Sequence, residues 1–162
     1  MNKETDNIEI VSHENYTVSH FNFIANIFIK ERNHNLQYLH DEIFPSKIDN
    51  CKNIIVTEAR VNDTLIAGCV SYIWNGDVTN IHIAYFAIDP NYRDKKLGRE
   101  MLKCLRRYVL SLQSRVRTMS LYVNVENFNA IGLYIKQGFN IIECMKEGYN
   151  ANIGYYLMRK DL

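Results

Sequence analysis

With 162 residues, 47% hydrophobic and 23% charged, the chain has the size and composition of one folded domain around a single core. A net charge of +1 excludes a bulk nucleic-acid binder, so any hold on an anion has to come from local clustering. Only two prolines and seven glycines leave no linker or low-complexity segment to account for.

Residues 8–12 alternate as a short first strand after a polar tail. From Glu14 the apolar period changes, and Phe21, Ile24 and Phe28 recur at helical spacing with Val18, Ala25 and Ile27 beside them. This predicts an amphipathic helix broken near residues 32–35, then a second helical piece over residues 36–44 that stops at Pro45. Residues 53–61 and 65–74 are rich in β-branched side chains and flank Asn62 and Asp63, which reads as an antiparallel hairpin. Asn75 and Gly76 turn the chain again, so residues 80–88 are predicted to pair back as the third strand of a meander.

Residues 83–102 read as strand, basic loop and helix. Past Pro90, the loop Arg93, Asp94, Lys95, Lys96, Leu97, Gly98 and Arg99 runs into a helix with Leu102, Leu105, Val109 and Leu112 on one stripe. Helix N-termini carry N–H groups without intrahelical partners and a positive dipole end, so this loop suits a diphosphate. Residues 119–125 alternate as a strand with Leu121, Val123 and Val125 on one face and Tyr122 and Asn124 on the other. Asn127 is placed to cap a short helix carrying Ala130, Ile131, Leu133 and Tyr134, and Gly138 to end it in the left-handed conformation. Two further strands follow at residues 139–145 and 153–159.

Cys51, Cys69, Cys104 and Cys144 form no CxxC pair and sit mostly in apolar contexts, which reads as reduced core thiols rather than disulfides or metal ligands. No apolar run approaches the ~20 residues needed to cross a bilayer, and the N-terminus has no signal-like core. A cytoplasmic protein without membrane partner is expected.

The segment IDPNYRDKKLGREML, followed by VENFNAIGLYIKQGF, resembles the two signature segments of the GNAT superfamily of acetyl-coenzyme A-dependent N-acetyltransferases. Arg93 and Gly98 match the loop pattern, whereas Lys96 stands where the first glycine usually lies. Asn127, Ala130, Tyr134, Gly138 and Phe139 match the second segment, and the closing YYLMRKDL is similar to the family's last strand. The resemblance implies an α/β (α+β) three-layer domain: a mixed, mostly antiparallel sheet of six to seven strands, splayed between strands 4 and 5 and flanked by about four helices. It implies acetyl-CoA as cofactor, a primary amine as acceptor, direct attack through a tetrahedral intermediate, and a homodimer as one assembly.

Residue by residue, the resemblance implies that the loop and the helix behind it hold the diphosphate. Backbone groups of Phe86, Ala87 and Ile88 would receive the pantetheine arm, with Asn127 nearby and Tyr134 as general acid to the departing thiolate. Lys96 is expected either to adopt a right-handed conformation or to alter the loop, because a lysine at positive φ costs about 1 kcal/mol. Acceptor-side candidates are Tyr38, His82, Tyr85, Tyr122 and Asn124. Uniform strand alternation puts His82 and Tyr85 on opposite faces and so argues against their sharing one site. The acceptor reading favours a small-molecule amine, since residues 147–154 lack the paired tyrosines of peptide-acetylating relatives. A protein N-terminus or lysine is the alternative, and a non-catalytic acyl-CoA sensor is the rival from another class.

Overall fold

The computed structural model describes residues 7–32, 53–73, 76–93, 96–112, 115–145 and 154–162. The chain runs β1 (Ile8–His13), α1 (Val18–Arg32), β2 (Ile54–Val61), β3 (Thr64–Ile73), β4 (Asn80–Ile88), α2 (Leu97–Ser111), β5 (Thr118–Asn124), α3 (Phe128–Lys136), β6 (Asn140–Met145) and β7 (Tyr155–Asp161). One seven-stranded sheet results, ordered β1-β2-β3-β4-β5-β7-β6. The predicted helical piece over residues 36–44, and with it Tyr38, lies outside the described residues, as do Cys51, Asp94 and Lys95.

β1 to β4 form the antiparallel meander read from the turn residues. Asn62 and Asp63 both take positive φ, 47° and 64°, which matches the right-handed twist of the flanking strands. β4 and β5 are the parallel pair, and their ladder is short: it runs from Asn80 opposite Thr118 to Ile83 opposite Leu121 and stops. β5 then pairs along its whole length with β7, which inserts between β5 and β6. Residues 84–88 of β4 therefore have β3 on one edge and an open fork on the other.

Two apolar layers cover the sheet. On one face, α2 and α3 bury Leu97, Met101, Leu102, Leu105, Val109 and Tyr134 against Ile55, Ile81, Ile83, Leu121 and Met158. On the other, α1 sets Phe21, Ile24, Ala25 and Phe28 on Val70 and Ala87. The stripe of α2 ends earlier than its spacing predicts. Leu112 is the exposed C-cap, and Met101, beside Leu102 at the other end of the helix, is the further core residue. Asn127 caps α3 by accepting from the Ala130 N–H at 3.3 Å, and Gly138 takes φ 88° behind it. Cys69 is buried, and burial pushes its thiol up to about 12, whereas Cys144 is exposed on β6 rather than in the core.

Candidate active site

The fork is built from backbone. The Asp89 N–H donates to the Ile66 carbonyl at 2.9 Å, so the peptide groups of residue 89, and by alternation those of Ala87 and Tyr85, face β3. Those of Phe86 and Ile88 face the other way, into the gap that β5 has left. The Phe86 backbone and the Ile88 N–H thus line the open edge, where the Ile88 carbonyl takes Arg93, whereas Ala87, the third residue expected to receive the arm, turns its peptide groups to β3.

At the mouth of the fork lies the N-terminus of α2. Its cap is Lys96, which makes no side-chain capping bond, and the N–H groups of a helix's first turn suit an external anion. Lys96 has φ 63° and ψ 6°. It occupies the left-handed conformation that a glycine would take there, and the right-handed alternative expected from its side chain is overturned. Gly98 is buried, and a Cβ on it would meet Leu133 Cδ2 at 3.0 Å, Ile88 Cδ1 at 3.4 Å and Phe86 Cζ at 3.8 Å. The expected reason for glycine, clearance between an amide and a phosphate, is thus joined by another: its missing side chain lets Leu133 of α3 and Ile88 and Phe86 of β4 pack closely on the start of α2. A helix start held this close to the free edge of β4 fits a diphosphate-bearing arm.

Tyr134 is buried on the same face, edge-on to Phe139 at 5.6 Å between ring centroids. Asn127 spends its carboxamide on the α3 cap. Arg93 places its guanidinium on the Ile88 carbonyl, and Arg99 pairs with Glu100 at 3.0 Å.

The opposite face holds the acceptor-side candidates, and here the strand alternation reading fails. The β3–β4 register jumps from Val70 opposite Tyr85 to Ser71 opposite Ile83, leaving Ala84 as the extra residue of a β-bulge. Before the bulge, Ile81 and Ile83 point to the α2 and α3 core; after it Phe86 and Ile88 do, while Tyr85 and Ala87 turn to α1. His82 and Tyr85 consequently share one face. His82 lies between Tyr72 and Tyr122, at 5.5 and 5.2 Å between ring centroids, and its Nδ1 is 3.0 Å from Ser120 Oγ. Ser120 accepts from Asn80 Nδ2 at 2.7 Å, so its own hydroxyl proton is directed to His82 and the ring proton to Nε2. Burial pushes the imidazole down to about 4, so the ring is neutral at physiological pH. Tyr122 is half exposed beside it. Asn124 is drawn off into a turn, where its Oδ1 accepts from the Glu126 N–H at 2.7 Å.

The chain thus presents a fork with an anion-ready helix start and a tyrosine on one side and an aromatic, uncharged patch on the other. The acetyltransferase (GNAT) family matches residues 20–139. The chain belongs to the GNAT family. Acetyl-CoA is the cofactor of that family. Among solved structures, a GNAT-family acetyltransferase from Desulfovibrio desulfuricans is similar at 11% identity, with a TM-score of 0.75 over 94% of this chain and 99% of that one. The ribosomal-protein-S18-alanine N-acetyltransferase of Escherichia coli is similar at 17% identity, with a TM-score of 0.71 over 95% and 93%. A GNAT acetyltransferase from Elizabethkingia anophelis, solved with acetyl-CoA bound, is similar at 17% identity, with a TM-score of 0.67 over 97% and 99%. No curated protein matches the sequence.

A second titratable cluster lies away from the fork. His13, His20 and Glu58 bring ligand-type atoms within 4.8 Å of one another, a spacing that would suit a metal. The hydrogen bonds argue otherwise. His13 Nδ1 accepts from the Asn15 N–H and His20 Nδ1 from the Thr17 N–H, both at 3.1 Å, which leaves each ring an N–H at the Nε2 that faces Glu58. His20 Nε2 reaches Glu58 at 2.6 Å, and Arg60 donates to both carboxylate oxygens at 2.9 and 3.0 Å. The carboxylate is surrounded by donors: an ion pair with Arg60 within β2, to which the His20 hydrogen bond ties α1.

Proposed function

We propose that this GNAT chain transfers the acetyl group of acetyl-CoA to the primary amine of a small molecule. The observation that carries the reading is the fork: a four-rung parallel ladder that ends at Ile83 and Leu121, with Tyr134 and the α2 N-terminus on one face and His82, Tyr85 and Tyr122 on the other. An acyl donor and an amine can meet there from opposite faces of the sheet.

Acetyl-CoA, when bound, supplies an acetyl thioester. The first-turn amides of α2, with the Lys96 ammonium, would hold the diphosphate, and the Phe86 backbone and the Ile88 N–H would bond the amides of the arm. Holding both reactants at the fork converts a bimolecular encounter into a local one, which is the larger part of the rate gain asked of the protein. Backbone N–H groups at the open edge of β4 would donate to the carbonyl oxygen as charge develops on it. The Tyr134 hydroxyl would deliver a proton to the departing sulfur, and the proton lost by the amine would leave through water on the His82 face. His82, neutral and with its proton on Nε2, orients the acceptor by donation.

A small molecule is favoured over a peptide because residues 147–154 lack paired tyrosines. The test is turnover of acetyl-CoA against a panel of small amines and peptides, read as release of free thiol. Acetylation of one or more small amines is expected. Turnover confined to peptides would replace the acceptor class, and tight coenzyme A binding with no turnover on any acceptor would make the chain an acyl-CoA sensor.

A further inference from the structure

The loop's charge pattern puts Arg93 on the diphosphate, yet its side chain is committed elsewhere. Arg93 Nε and Nη2 donate to the Ile88 carbonyl oxygen at 3.1 and 2.9 Å. The next N–H along, on Asp89, is bonded to Ile66 at 2.9 Å, so this peptide group is pinned at both ends. The position matters. Ile88 is the last residue of β4: β3 holds one edge of it through Ala67 and Ile66, and on the other edge, which β5 has abandoned, no strand of the sheet meets its carbonyl. A tight turn returns Arg93 to that spot: Pro90–Tyr92 is a 3-10 turn, its start capped by the Asp89 carboxylate accepting from the Asn91 N–H at 2.8 Å. The short turn brings the side chain back onto the strand that the chain has just left.

We propose that Arg93 is a positioning residue for the thiol-bearing arm of acetyl-CoA, acting through the Ile88 peptide group, and that the diphosphate is held by the α2 N-terminus without it. This rests on the coenzyme A reading above. By holding the carbonyl, Arg93 together with Ile66 fixes the peptide plane between residues 88 and 89, which limits the swing of the preceding peptide and keeps the Ile88 N–H, on the same strand edge, aimed into the fork. The role needs N–H donors at Arg93; a role on phosphate needs its charge.

Two substitutions and two halves of the cofactor separate these. Arg93→Ala removes donors and charge, and Arg93→Gln keeps a neutral donor within reach of a carbonyl. Binding is measured by calorimetry for acetyl-CoA, for S-acetylpantetheine, which lacks all phosphates, and for the phosphorylated ADP half, which lacks the arm. Arg93→Ala is expected to weaken acetyl-CoA and S-acetylpantetheine by the same factor, roughly tenfold, and to leave the nucleotide half unchanged. Arg93→Gln should recover most of the loss. Loss on the nucleotide half with S-acetylpantetheine unchanged overturns the proposal, and so does a glutamine variant as weak as alanine. Should the wild-type chain bind acetyl-CoA in no measurable way, the coenzyme A reading falls first and this role with it. Thermal melting of each variant without ligand shows whether the effect is on binding: Arg93 is exposed, so the midpoints should coincide.

Discussion

Lys96 shows how one side chain can break a sequence pattern while keeping its geometry. In the left-handed region a lysine costs about 1 to 2 kcal/mol over glycine. Glycine recovers less than that, because it makes the unfolded chain more flexible by about 0.4 to 1 kcal/mol. Lys96→Gly is therefore expected to move the urea midpoint little, within about 1 kcal/mol in stability, and to raise the dissociation constant for acetyl-CoA through loss of the ammonium. An unchanged dissociation constant would take Lys96 off the phosphates. Tyr134 makes the complementary case. Its ring is held edge-on to Phe139, and Tyr134→Phe keeps that packing while deleting the hydroxyl. Turnover should drop by roughly tenfold or more while the dissociation constant stays within about twofold, the signature of a group acting in the transition state. Equal losses in both would make the hydroxyl a binding group.

At the scale of elements, the sequence pattern made the strands, the α3 cap and the end of that helix at Gly138 legible, because each has a local cause in periodicity or turn chemistry. It hid the bulge at Ala84. A bulge leaves no composition signal in an apolar strand, and reading residues 80–88 as one uniform alternation put His82 and Tyr85 on opposite faces. The insertion of β7 between β5 and β6 was likewise hidden, since strand order depends on pairing across the chain. Signature glycines were visible, but not all that they do. The Gly98 backbone is helical, where alanine is favoured over glycine by about 1 kcal/mol. The atom nearest to a new Cβ is the flexible tip of Leu133, at 3.0 Å. Gly98→Ala is therefore expected to hold or slightly raise the melting temperature while weakening acetyl-CoA, because the methyl pushes the start of α2 and Leu133 apart where the cofactor approaches. A variant that melts lower and binds as tightly would show that Gly98 serves packing alone.

For the molecule as a whole, the position of α1 over the acceptor face rests partly on a buried carboxylate. Glu58 is only 7% exposed. Burial alone would raise its carboxyl, but the hydrogen bonds from Arg60 and His20 outweigh that and hold it at about 2, below the ordinary 4.5. The folded state thus binds this proton less readily than the unfolded chain, and the stabilisation is complete above pH 4.5. It is lost as the pH falls from there toward 2, and a shift of this size corresponds to roughly 3 kcal/mol. Neutral pH and mild acid should therefore differ little, with a steep fall in stability below pH 4.5. Glu58→Gln keeps the shape but not the charge, and it leaves Arg60 without its partner. Urea denaturation across the acid range should show the variant less stable at pH 7 by a few kcal/mol and with a shallower loss below pH 4.5. Parallel curves for wild type and variant would mean that other carboxylates carry the acid transition. Since α1 also backs Tyr85 through Phe28, at 5.8 Å between ring centroids, the variant should lose acceptor turnover in acid before it loses cofactor binding, which depends on the opposite face.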